Sequence, residues 1–417
     1  MLRDQSRFLK YLFLGSMAGI FFTGGSCTHR QQELHAGIWR AELAVSHDRQ
    51  APFLFEVSAD TTGSTVLTLI NGEEKVPLTG IYYTADTVVI PVEAYDALIK
   101  ARISDNLLEG RFIKNYIGND TGVPFRAEWG EAPRFTTDGP LTDISIDGRW
   151  DILFINEAGD TVRNVGIFKT ANQIVTGSVL TNSGDLRFLE GALTADGVRL
   201  SAFSGLTPYY IELRFAGSEA FEGALYTPRG KTTLTGSRNE RAALADAYSQ
   251  TRLKQGADRL SFKLPDTGGQ IVSLADEAYK GKVVIVSVLG TWCPNCLDET
   301  QYLAQWYKEN KERGVEILGL AFERKDSFEY AKEAIDRLKK RYEVDYKILF
   351  AGKAGSESTS AVLPEIEQLL SYPTTFFINK EGKVSKIHTG FSGPATWLFY
   401  EEWIKEFNEV VNELLAL

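Results

Sequence analysis

Val283 to Leu289 reads VVIVSVL, a run in which Ser287 is the one residue with a polar side chain. Such a stretch suits a strand covered on both faces, the situation of a strand inside a parallel sheet. Gly290 ends it. Pro294 then opens a helical pattern to about Arg313, with Leu297, Ala304 and Tyr307 at helical spacing and Gly314 where a left-handed terminator belongs. The alternation continues with a strand at Val315 to Phe322 and an amphipathic helix at Ser327 to Tyr342, carrying Ala331, Ile335 and Leu338 on one face. The strand YKILFAG follows, then two strands at Thr374 to Asn379 and Lys383 to Gly390 around the turn Glu381-Gly382, and a closing helix from about Ala395 to Leu414. The pattern predicts an α/β domain over residues 258–417, a mixed sheet sandwiched by helices.

The chain upstream has another rhythm. From Leu34 to Arg238, short runs rich in Val, Ile, Thr, Phe and Tyr are broken by turn signals such as Asn71-Gly72, Asp147-Gly148 and Asp196-Gly197. This is an all-β half, and it repeats: GIWRAEL at Gly37 matches GRWDILF at Gly148, and LLEGRFI near Gly110 matches FEGALYT near Gly223. Two antiparallel barrel or sandwich units are expected, over 27–140 and 141–238. No residue cluster there has catalytic spacing. Trp39, Trp129, Trp150, Tyr209 and Tyr210 read as core and rim residues, and the half reads equally as a spacer, a recruiting surface or a dimerisation module. Residues 239–257, rich in Ala, Arg, Gln and Leu, read as a helical connector.

The first 26 residues place Arg3, Arg7 and Lys10 before an apolar stretch from about Tyr11 to Phe22, too short to span a bilayer comfortably but suited to an export signal. Gly24, Gly25 and Ser26 lead into Cys27. This resembles the cleavage and lipidation signal of bacterial lipoproteins, with Gly24 where an aliphatic residue is usual, and implies a body in the cell envelope tethered to a membrane through a lipidated Cys27. A net charge of −10 excludes nucleic acid as a partner, because phosphate binding needs a clustered basic surface.

Cys293 and Cys296 in TWCPNC carry the chemistry. Cys293 stands at a helix start, where unpaired backbone N–H groups and the helix dipole favour a thiolate, and Pro294 fits the first helical turn. Cys296 lies on the same face, within reach of a disulfide. A lowered thiol pKa makes Cys293 a nucleophile and a good leaving group, so it attacks a partner and Cys296 resolves the mixed disulfide. Three readings compete. Zinc needs a second pair of ligands, and His388 is the lone histidine in this domain. A structural staple gains little from closing a two-residue gap. A peroxidase of the peroxiredoxin type would carry Thr three and Pro seven positions before its reactive cysteine, where Gly290 and Val286 stand. The expected centre is the dithiol/disulfide itself, with no metal and no cofactor.

TWCPNC, Glu299 and the later SYPTTFFINKEGKV resemble the TlpA/ResA-like thiol-disulfide oxidoreductases of the thioredoxin superfamily over about Asp258 to Leu417. The resemblance implies that Pro373 is a cis-proline against the disulfide, exposing the backbone around Tyr372 for strand pairing with a substrate. It also implies that Glu299 takes the proton of the buried Cys296. Thioredoxin keeps a buried Asp six positions before its first active-site Cys; Ser287 stands there. Trp292, Pro294, Asn295, Tyr372 and Thr374 would shape the substrate groove. Expected partners are envelope proteins with disulfides or dithiols, and a membrane electron donor, with reduction the favoured direction. The rival is a surface lipoprotein whose β-rich half binds a ligand while the redox domain is silent.

Overall fold

The computed structural model describes residues 33–117, 122–136 and 142–417. The export signal and Cys27 lie outside them, as does the expected unit boundary at 140/141. Among the described residues, no helix is long and apolar enough to cross a membrane.

The β-rich half forms two nine-stranded antiparallel sheets, one from Gly37 to Trp129 and one from Gly148 to Arg238. Strands alternate buried and exposed positions, as Ala97–Ser104 does with Ala97, Ile99, Ala101 and Ile103 inward. In both units the first strand pairs with the second and the last, Gly37–Ala44 with Val123–Trp129 and Gly148–Ile155 with Gly230–Arg238. The second sheet closes into a barrel because Thr161–Ala171 also pairs with Ile174–Thr181.

The sequence repeat has a physical basis. Gly37 and Gly148 open their strands at φ 109° and 102°, a region closed to residues with a Cβ. Two residues on, Trp39 and Trp150 are fully buried, and each indole N–H donates to the carbonyl four residues earlier, His35 O at 2.9 Å and Ile146 O at 2.7 Å. At Gly110 and Gly223 a Cβ would sit about 2 Å from a neighbouring strand's carbonyl, Lys100 O and Glu212 O.

The connector corrects the expectation of a helix. Residues 239–257 hold one 3-10 turn, Ala247–Ser249, and no α-helix. Helix propensity amounts to tenths of a kcal/mol per residue. Tertiary contacts outweigh it: Ala242 and Leu244 pack with Trp397 and Phe399, Thr251 N–H donates to Thr389 Oγ1, and Leu253 bridges to Ile366.

The C-terminal domain has a five-stranded sheet in the order Lys347–Lys353, Val315–Glu323, Val283–Leu289, Thr374–Ile378, Val384–Thr389. Val283–Leu289 is central, parallel to Val315–Glu323 and antiparallel to Thr374–Ile378, with all seven residues buried. Helices α1 (Pro294–Asn310), α2 (Phe328–Tyr342), α3 (Ser356–Val362) and α4 (Leu398–Ala416) complete it. α1 passes through a 3-10 turn and stops at Gly314, φ 86°. Ser327 caps α2, whose Ala331, Ala334, Ile335 and Leu338 are buried. Phe203 of the second barrel packs against Phe53 and Phe112 of the first sheet. The β-rich half lies against the redox domain at the start of α1.

Candidate active site

Cys293 and Cys296 form a disulfide with Cα atoms 5.2 Å apart. Cys293 is the N-cap of α1 and Pro294 the first helical residue; the Cys296 N–H points at Cys293 Sγ at 3.3 Å. An amide donor aimed at sulfur favours the thiolate once the disulfide is reduced. Cys293 borders a cavity of about 280 Å³, whereas Cys296 is completely buried.

The loop before Cys293 is anchored from the end of Val315–Glu323. The Thr291 N–H and hydroxyl donate to the buried Glu323 carboxylate at 3.1 and 2.9 Å, and the Trp292 indole donates to Phe322 O at 2.9 Å. Burial pushes Glu323 up to about 7. Trp292 meets Tyr372 edge to face at 5.7 Å. The Tyr372-Pro373 bond is cis, and Tyr372 O lies 3.4 Å from Cys293 Sγ.

Glu299 sits one helical turn beyond Cys296 and is fully buried. Its carboxylate accepts from Ser287 Oγ and Thr375 Oγ1, both at 2.7 Å. Burial pushes it up to about 7, with the two hydroxyls opposing that rise. Ser287, where thioredoxin carries its acid, is thus the hydroxyl that orients another one. The break it makes in an apolar strand was the sequence signal for that partner.

Of the groove residues expected from sequence, Pro294, Asn295 and Tyr372 border the cavity beside Cys293. Thr374 and Trp292 are not among the residues that line it. Thr374 is buried with its hydroxyl donating to Ser371 O, as its position at a strand start under the turn dictates. The indole bond to Phe322 O turns Trp292 toward a neighbouring cavity it shares with Tyr330 and Arg337.

Sequence reasoning missed the residues that reach the site from the β-rich half. Arg187 Nη1 donates to Pro294 O at 3.1 Å and Asp298 Oδ2 at 2.5 Å, while its Nε donates to Glu74 Oε1 at 3.0 Å. Burial lifts Asp298 to about 6 against the pull of Arg187. Arg187 holds φ 58°, a left-handed conformation costing about 1–2 kcal/mol for a residue with a Cβ. Two buried ion pairs, to Glu74 and Asp298, hold the side chain from there. Tyr209, expected as core or rim, also borders the cavity.

Residues 256–387 match the AhpC/TSA family. Thiol-disulfide oxidoreductase ResA of Bacillus subtilis is 34% identical over 138 residues, covering 33% of this chain and 69% of that protein. The chain belongs to the ResA family of thiol-disulfide oxidoreductases. ResA of Bacillus thuringiensis is 29% identical over 157 residues, covering 38% of this chain and 80% of its own. A crystal structure described as a putative thiol:disulfide interchange protein DsbE from Chlorobium tepidum is 21% identical, covers 38% of this chain and 99% of that one, and has a TM-score of 0.30. The ResA-like part is the thioredoxin-fold domain; the match to ResA covers a third of the chain.

Proposed function

We propose that this ResA-family enzyme is exported, held to a membrane through a lipidated Cys27, and reduces disulfides of envelope proteins. In the reduced enzyme the Cys293 thiolate attacks one substrate sulfur and expels the other, which leaves as a thiol after protonation. Glu299 accepts the Cys296 proton, and Cys296 attacks Cys293 Sγ. The Cys293–Cys296 disulfide forms, the second substrate thiol departs, and two electrons have passed to the substrate. A membrane electron donor returns two electrons and two protons. The N-terminal sequence supports the anchor, and the asymmetry of the two sulfurs carries the roles: Cys293 borders a cavity under an amide donor, and Cys296 is buried one turn from a carboxyl that titrates near neutrality.

The test uses an unstructured peptide closed by one disulfide, with a chemical reductant as electron source. Wild type should turn it over, Cys293→Ser should not, and Cys296→Ser should accumulate a mixed disulfide through Cys293. Resolution should accelerate as pH rises through about 7, where Glu299 becomes a base, and Glu299→Gln should flatten that profile. Turnover surviving in Cys293→Ser removes the assignment of the nucleophile.

A further inference from the structure

The segment Asn182–Arg187 of the second barrel is seated across the redox centre on both sides of Cys293. On one side Arg187 holds Pro294 O and Asp298, and the Asn295 side-chain amide lies 3.5 Å from Asp185 O. A Cβ at Gly184 would fall 1.5 Å from Asn295 Nδ2, so this backbone touches the turn between the two cysteines. On the other side Ser371, two residues before the cis-proline, donates its hydroxyl to Ser183 O at 3.1 Å, and a Cβ at Gly390 would meet Asn182 O at 2.8 Å. The barrel thus abuts the chain end of the groove where a substrate strand would otherwise run past Ser371. What remains open beside Cys293 is the cavity of about 280 Å³, to whose lining the β-rich half contributes Tyr95, Leu206, Thr207 and Tyr209.

Size and charge narrow what enters. That volume lies just below the range of about 300–1,000 Å³ that small-molecule sites occupy. It has room for a short length of one extended chain and none for the convex face of a folded domain. Two charged residues border it, and both are committed: Arg187 to Glu74 and Asp298, Asp185 to the N–H groups of Gly393 and Arg187. The rest of the lining is hydroxyls, aromatic rings, apolar side chains and one amide, which suits a neutral backbone better than the carboxylates of a small charged disulfide.

We infer that the β-rich half is the second wall of the substrate site and that it offers Cys293 to a single extended, uncharged, cysteine-bearing segment of polypeptide. This rests on Cys293 being the attacking sulfur. The barrel selects which disulfides reach it, by access and without altering the sulfur chemistry.

The full chain should be assayed with three disulfides: an unstructured neutral cystine peptide, oxidised glutathione, and native ribonuclease A. The peptide should be preferred over each of the others by at least tenfold in kcat/KM. Thr207→Trp, which fills the cavity from the barrel side, should lower kcat/KM for the peptide at least tenfold while the Cys293–Cys296 reduction potential, read in a glutathione buffer, stays at the wild-type value. Tyr209→Ala, which widens it, should raise the rate with native ribonuclease A; this second variant and the potential guard against a folding defect. Equal rates for peptide and folded protein, or a Thr207→Trp rate within twofold of wild type, would overturn the inference. A wild type inert toward all three disulfides would instead sink the redox reading, and this one with it.

Discussion

The two β units share a strand order and the same buried tryptophan device, yet one connection differs between them. In the first unit the third strand, Thr65–Asn71, turns straight back into Glu74–Leu78 through Gly72 and Glu73. In the second, Ile174–Thr181 also turns back at once, through Asn182 and Ser183, but into a strand of only two residues, Gly184–Asp185, and it pairs with Leu189–Leu193 as well. The clipped strand and the residues after it bring Gly184, Asp185 and Arg187 to the cysteine turn, and Arg187 reaches back to Glu74 beside the equivalent turn of the first unit. One copy's hairpin touches the redox centre, and the other copy supplies the counter-charge at Glu74.

Replacing Arg187 tests that contrast most severely. Arg187→Ala leaves Glu74 and Asp298 as buried carboxylates without their cation, a loss of about 3–5 kcal/mol in urea unfolding. Arg126 pairs with Glu109 and Glu128 on the exposed face of the first sheet, where solvent screens the pairs, and Arg126→Ala should leave the urea midpoint close to that of wild type. Equal losses would break the claim that Arg187 ties the modules together.

The redox domain holds its buried acid differently, with two hydroxyls and no cation around Glu299. Its pKa rises from 4.5 to about 7 on folding, so the folded state binds this proton more tightly than the unfolded one. The contribution is complete below about pH 4.5 and is lost as pH climbs through 7, an effect of about 3 kcal/mol. Wild type should therefore lose stability between pH 5 and pH 8 relative to Glu299→Gln. A variant that tracks wild type across that range would show the carboxyl to be ionised throughout.

The paired changes Trp39→Phe and Trp150→Phe compare the two β units directly. Each removes an indole N–H and leaves a carbonyl without it, costing about 1–2 kcal/mol by thermal or urea unfolding. Closely similar losses would confirm that both units use one device; a silent Trp39 would mark the open sheet as the looser copy.

Much of the fold was legible because local physics wrote it. Glycine and tryptophan at fixed spacing marked both units, and the apolar run before Gly290 gave the central strand. The dithiol was readable from its helix start alone. The connector was misread because 239–257 gains more from Trp397, Thr389 and Ile366 than from helical propensity. Arg187 was invisible because its partners at Glu74, Pro294 and Asp298 lie 113, 107 and 111 positions away. Tyr209 looked like any barrel aromatic, since no periodicity tells a rim from a chamber wall.

The complete burial of Cys296 bears on the order of events in a catalytic cycle. With Cys293 as the proposed attacking sulfur, the molecule that is reduced and the one that restores the enzyme both meet it through the same entrance. They therefore take turns, each crowding out the other when abundant. Steady-state kinetics should follow a double-displacement pattern with mutual inhibition, a traffic rule imposed by a doorway one strand wide.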